Sequence, residues 1–135
     1  MAAIAAAPIL LNNVTVTIGT DSYEAACTQV LLNPTTPVVR WKGMTPGSSH
    51  SFAGTPIWDA TLTFAQDIAS TNSLSKYLHN TPVGTKVTLA FDPVAGGASV
   101  TAIIVIQPAA IGGSLDTVPE ATVTFAVDGQ PTIAA

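Results

Sequence analysis

The chain is poor in charge. Of its 135 residues only 9% are Asp, Glu, Lys or Arg, against roughly 25% in ordinary soluble domains. A coiled coil, rich in Glu and Lys, is excluded. So is intrinsic disorder, because 47% of the residues are hydrophobic and disordered chains combine low hydrophobicity with high charge. Cations are scarcest: four Lys and Arg against eight Asp and Glu leave a net charge of −4. A groove that grips nucleic-acid phosphates needs clustered Lys and Arg and is not expected. Cysteine occurs once, at Cys27, which excludes an intrachain disulfide and an all-cysteine metal cage. Long apolar runs are missing too. Residues 1–11 are apolar, but a bilayer span takes roughly 20 residues, Pro8 interrupts the run, and no basic segment precedes it as in a secretory signal. Residues 1–12 are read as an arm that packs on the domain or on a neighbouring subunit, with a cleaved export signal as the lesser alternative. No membrane partner is expected.

A surface so short of ions costs little to desolvate and suits a protein that packs against copies of itself. The bland alternative is a secreted β-domain with a Thr-rich exterior. Residues 1–135 form one domain, long enough to bury its own core.

Thr and Val are abundant, and β-branched side chains fit a pleated surface. Val14, Val16 and Ile18 alternate with Thr15 and Thr17, which predicts a half-buried strand. Residues 23–32 read as a second strand, paired with the first as a hairpin and broken at Asn33-Pro34. Residues 38–42 make a short strand. Residues 43–56, rich in Gly, Ser and Pro, read as a long loop carrying Met44, His50 and Phe52. Trp58, Ala60, Leu62 and Phe64 alternate with polar residues, as do Val87, Leu89 and Phe91, and later Ala121, Val123, Phe125 and Val127. Residues 99–107 complete the set. One helix is expected: Leu74, Tyr77 and Leu78 share a face, Ser70, Thr71 or Asn72 can cap it, Asp67 lies near its positive end, and Pro82 to Gly84 end it. The sum is mainly β, a β-sandwich or partly open barrel of about seven strands with one flanking helix. Leu74, Tyr77, Leu78, Trp58 and Phe64 form the helix–sheet core.

Catalytic chemistry is thinly supplied. His50 has Ser48, Ser49 and Ser51 beside it, but a nucleophilic serine also needs a group that orients the imidazole and an oxyanion site. His79 suits a helix C-terminus through the dipole alone. Two distant His, one Cys and scattered acids match no metal-ligand spacing. Gly96-Gly97 and Gly112-Gly113 lack the Lys and the strand-to-helix setting of a phosphate loop. Asp92, Asp116 and Glu120 fall near turns, where acids shape the backbone. Cys27 reads as a small buried hydrophobe. Trp58 reads as core. Trp41, flanked by Arg40 and Lys42, either packs in the core or stacks on a sugar ring. No enzyme activity, cofactor or metal is expected.

Four segments, read in order, carry a resemblance. Residues 58–67 (WDATLTFAQD) are a Trp-led strand ending in Gln-Asp. Residues 73–80 (SLSKYLHN) are a Ser-Leu-x-x-Tyr-Leu helix. A hydrophobic strand runs up to Pro108, followed by Ile111-Gly112-Gly113. Residues 121–131 (ATVTFAVDGQP) are a strand closed by Asp-Gly-x-Pro. Together they resemble the major tail tube proteins of long, non-contractile-tailed bacteriophages, over roughly the last 80 residues and more loosely over the whole chain. The resemblance implies a β-sandwich with a flanking helix. It implies six-copy rings whose sheets join into an inner barrel, stacking into a tube through which DNA passes without specific binding. It also implies tape measure and tail terminator proteins as further partners, and a place in the virion tail after synthesis in the host cytoplasm. The extra immunoglobulin-like domain of some relatives is not expected here. Ile9, Leu10, Trp41, Met44, His50 and Phe52 become candidate inter-subunit contacts. Two alternatives stay open: another tail-assembly protein such as a terminator, or a carbohydrate- or surface-binding β-sandwich module carried by Trp41 and the loop aromatics.

Overall fold

The structure, a computed structural model, describes residues 2–94 and 96–134. Met1 of the expected arm, Ala95 of the expected turn at 92–97 and Ala135 lie outside the described residues.

Ten strands and one helix are present among the described residues: β1 (Thr15–Ile18), β2 (Asp21–Ser22), β3 (Cys27–Thr35), β4 (Val38–Lys42), β5 (Ser49–Ala53), β6 (Ile57–Ala65), α1 (Leu74–Asn80), β7 (Lys86–Asp92), β8 (Val100–Val105), β9 (Glu120–Ala126) and β10 (Thr132–Ile133). All pairings are antiparallel. They build a five-stranded sheet in the order β10-β8-β7-β1-β2, a three-stranded sheet β3-β6-β9, and a separate two-stranded ribbon β4-β5. The sheets are open rather than closed into a barrel.

Alternation decides which sheet faces turn inward. Val16, Ile18, Leu89 and Ile104 from the first sheet meet Ala60, Leu62, Phe64, Val123 and Phe125 from the second in one buried cluster. Phe64 and Phe125 are fully buried, each stabilising the sandwich by about 1.5–3 kcal/mol relative to exposure.

Leu74 and Leu78 of α1 join the same core, and Tyr77 packs beside it with its ring 6.0 Å from that of Tyr23. The N-cap is Ser73, one residue beyond the expected caps: its hydroxyl accepts from the Lys76 N–H at 3.3 Å and donates to the Asp67 carbonyl. Asp67 lies just ahead of α1. Its carboxylate accepts the N–H groups of Ala69 and Ser70 at 3.1 and 3.0 Å, closing its own turn, and its own N–H donates to buried Ser75 Oγ. The Ser70 contacts, first of all, hold the Asp67 carboxyl below its usual range.

Three sequence expectations change. Residues 23–26 form a turn, with Ala26 N–H on Tyr23 C=O, and β1 pairs with the short β2 instead of with β3. The chain then crosses to the other sheet, where β3 pairs with β6. Asn33-Pro34 does not break β3, which continues to Thr35 with Pro34 opposite Trp58. β3 is an edge strand, where a residue without an N–H is tolerated. Finally, the stretch 43–56 is not all loop: Ser49–Ala53 pair with β4 in the register Val39↔Phe52, Trp41↔His50.

Candidate functional site

Three surfaces have chemistry not explained by the body's own folding. The first is the outer face of β3-β6-β9. Strand alternation turns Thr61, Thr63, Thr122 and Thr124 outward, and their hydroxyls hydrogen-bond across the sheet, Thr61 to Thr124 at 3.4 Å and Thr63 to Thr122 at 3.0 Å. Gln29 accepts from Thr63 at 3.3 Å. Asp59 and Glu120 lie at opposite ends of this field, and β3, β6 and β9 contain no Lys or Arg. Leu31, opposite Thr61, and Ile57 at the start of β6 share this face, so it is a Thr-rich, weakly acidic surface with two exposed aliphatic side chains.

The second surface is the ribbon. Every residue of β4 and β5 is exposed. Directly opposed residues in an antiparallel pair share a face, so Val39, Trp41, His50 and Phe52 stand on one side and Val38, Arg40, Lys42, Ser49, Ser51 and Ala53 on the other. The apolar side is a ladder, with Trp41 and His50 rings 5.9 Å apart and His50 and Phe52 6.5 Å apart. Trp41 is 58% exposed and Phe52 61%. Gly54 N–H on the Pro37 carbonyl at 2.7 Å closes the base, and Gly43 N–H on the Ser48 carbonyl at 2.7 Å closes the tip. A Cβ at Gly43 would come within 2.5 Å of Ser48 Oγ and 3.2 Å of Trp41, so a side chain there would force Ser48 to shift at the tip. A two-stranded hairpin is marginal in water on its own; this one spends its amphipathic pattern on a face that nothing in the monomer covers.

The third surface is a pair of adjoining clefts where the sandwich opens beside the N-terminal segment. Ile9 and Leu11 of that segment, with Leu32, Trp58, Phe91 and Ile133, line an apolar cleft of about 420 Å³. Leu11, Val14 and Val30 continue into a second cleft of about 440 Å³ that holds Glu24 and Cys27.

Of the candidate contacts, Trp41, His50 and Phe52 are brought together on the ribbon, Met44 sits bare at its tip, and Ile9 and Leu10 lie exposed on the N-terminal segment. Trp58 is corrected: it is half-buried on the wall of the apolar cleft, away from the helix–sheet core that holds Leu74, Leu78 and Phe64. Cys27 is half-buried at a bulge in β3, and burial, then the charge of Glu24, pushes its thiol up to about 11. His79 lies in the last turn of α1. The Gln66 of the Gln-Asp pair bridges to Gly112, accepting its N–H at 2.8 Å and donating to its carbonyl at 3.0 Å; that pair therefore pins loops. Among the described residues no three His, Cys, Asp or Glu side chains gather as metal ligands would, and no helix is long and apolar enough to cross a membrane. Glu24 and its cleft went unmarked in the sequence.

No family model and no curated protein matches the chain. Its structure is similar to a chain in a cryo-EM structure of the sheath/tube terminator of an extracellular contractile injection system, PVC, in the extended state. The TM-score is 0.64 and the identity 13%, covering 98% of this chain and 100% of that one. At that identity the likeness is one of fold. That neighbour belongs to a contractile injection system, and not to the non-contractile tail tubes expected from the sequence.

Proposed function

We propose that the chain is a structural subunit of a phage-tail-like particle, that it works by binding copies of itself, and that its place is at the end of the tube, as a terminator, more than in the tube's repeating wall. The observation that carries the reading is the ribbon, an aromatic face held clear of a body that does not cover it. A contiguous exposed apolar face of this kind marks an interaction site. The fold shared with a chain of a sheath/tube terminator structure supports the terminal position. The reading includes no catalysis.

In a ring of such subunits the Thr field of β3-β6-β9 suits the lumen. Ring symmetry multiplies any pore-facing charge, and a lining rich in Lys and Arg would hold DNA through many phosphate contacts. Short hydroxyls with Asp59 and Glu120 would let the polymer slide.

Negative-stain microscopy of the purified protein over a concentration series tests the proposal. Closed rings that stay single and seat on one end of a tube are expected. Long tubes of the protein alone would return it to the tube wall, and a monomer at every concentration would overturn assembly altogether. Exposed Trp41 favours a second reading, a sugar-stacking surface; a persistent monomer that binds an oligosaccharide through Trp41 would support it.

A further inference from the structure

The Glu24 side chain has one carboxylate oxygen buried without a hydrogen-bond partner. It stands in the cleft between the N-terminal segment, the turn at 23–26 and the start of β3. Leaving a carboxylate oxygen dry and unpaired is costly, and a cation beside it removes the cost. Nothing in the cleft does so. Its lining holds no Lys, Arg or His, and the neighbouring Cys27 thiol, pushed up by burial, stays neutral.

The cations of this chain are few enough to account for individually. Lys86 pairs with Asp128 at 3.1 Å. Lys76 lies on α1 close enough to Asp67 to lower that carboxyl. Arg40 and Lys42 are in the ribbon and have no ion-pair partner among the described residues. The ribbon holds two of the four cations and none of the eight acids, so it carries +2 and the rest of the chain −6. A body that is acidic, with the Glu24 carboxylate in the wall of a cleft, and a ribbon that is basic on one face are complementary between copies.

From this charge complementarity we infer that the Glu24 cleft is the receptor for the cationic face of the ribbon of a second copy, with Arg40 entering to pair with Glu24. This rests on the self-assembly reading above. Arg40 is assigned over Lys42 because a guanidinium fork matches a carboxylate in two parallel hydrogen bonds and sheds its water more easily than an ammonium. The contact is heterologous, one surface of each copy meeting a different surface of the next, which generates a ring when its rotation closes.

The test is a double-mutant cycle on the full-length protein, read as the concentration for half-assembly by sedimentation velocity. Glu24→Gln and Arg40→Gln are each expected to raise that concentration about tenfold to a hundredfold, the double variant no further than either alone, and the wild-type assembly to weaken with added NaCl. Glu24→Gln is also expected to leave the thermal midpoint of the dilute monomer unchanged or higher, because it removes the stranded charge; a merely structural Glu24 would lower it. Lys42→Gln is the comparison variant and is expected to have the smaller effect. Single variants whose effects multiply in the double, a Glu24→Gln protein that assembles like wild type, or coupling to Lys42 instead of Arg40 would overturn the inference while leaving assembly standing. A wild-type protein that never assembles would overturn the assembly reading itself, and this inference with it.

Discussion

The sandwich and the ribbon are written in the same alternating pattern and put it to opposite uses. Along β6 the apolar residues Ala60, Leu62 and Phe64 are buried and the residues between them face out. Along β4 and β5 the apolar residues Val39, Trp41 and Phe52 share one face while Val38 and Ala53 fall on the other, and all of them face water. The body therefore accounts for its own stability. The ribbon does not, and an amphipathic strand pair that finds no core in its own chain is shaped for one elsewhere. Charge divides the same way, with the acids on the body and Arg40 and Lys42 together on one face of the ribbon.

Breaking the body should be expensive and breaking the ribbon should not. Phe64→Ala empties a fully buried site and is expected to cost about 3–5 kcal/mol in denaturant unfolding, with Leu78→Ala at about 2–5 kcal/mol. A loss under about half a kcal/mol at Leu78 would show that α1 is not docked on the sheets. Removing the helix cap with Ser73→Ala should cost about 0.5–2 kcal/mol, read the same way. On the ribbon, Trp41→Ser with Phe52→Ser should shift monomer stability by less than about 0.5 kcal/mol, since surface substitutions seldom do more, while assembly fails. A large drop in monomer stability would mean the ladder is structural after all.

A smaller effect sharpens the account of the cleft. The Cys27 thiol is raised from 9.0 to about 11 in the folded chain, so the fold binds this proton more tightly than the unfolded chain does. Its contribution is fully present below pH 9 and is lost as pH rises toward 11. Cys27→Ala should flatten the decline of thermal midpoint across that window. Alkylation of Cys27 at pH 8 should be slower than that of a free thiol, because the thiolate is the reacting form.

The body was largely legible in the sequence because its strands repeat a two-residue period against a buried face. The alternation at 58–64 and 121–127 and the 74/77/78 face mark elements whose boundaries moved by a residue or two in the structure. Sheet membership was not legible. Residues 15–18 and 27–35 are close in sequence and carry similar patterns, yet they lie in different sheets, a matter of contacts with β7 and β6 far along the chain. Pro34 hid the end of β3 because the proline rule depends on whether a strand is central or at an edge. β5 was hidden by composition: Ser49-His50-Ser51-Phe52 alternates, but with serine as its polar partner and glycines and prolines on either side it reads as loop. Matching it against Val39-Arg40-Trp41-Lys42 would have exposed the ribbon. Nothing in the sequence marks Glu24, whose interest comes from burial without a partner.

The claim that the ribbon is an assembly surface meets its most direct test in one measurement, sedimentation velocity over a concentration series. The wild-type chain is compared with a variant in which residues 48–53 are replaced by a short Gly-Ser linker. Residues 48–53 include β5, which is exposed throughout and pairs with β4 in a ribbon separate from both sheets of the body, so both should be folded by circular dichroism, with nearly equal thermal midpoints. The expected result is a discrete large species for the wild type that grows with concentration, and a monomer throughout for the variant. Equal assembly by the two proteins would contradict the claim.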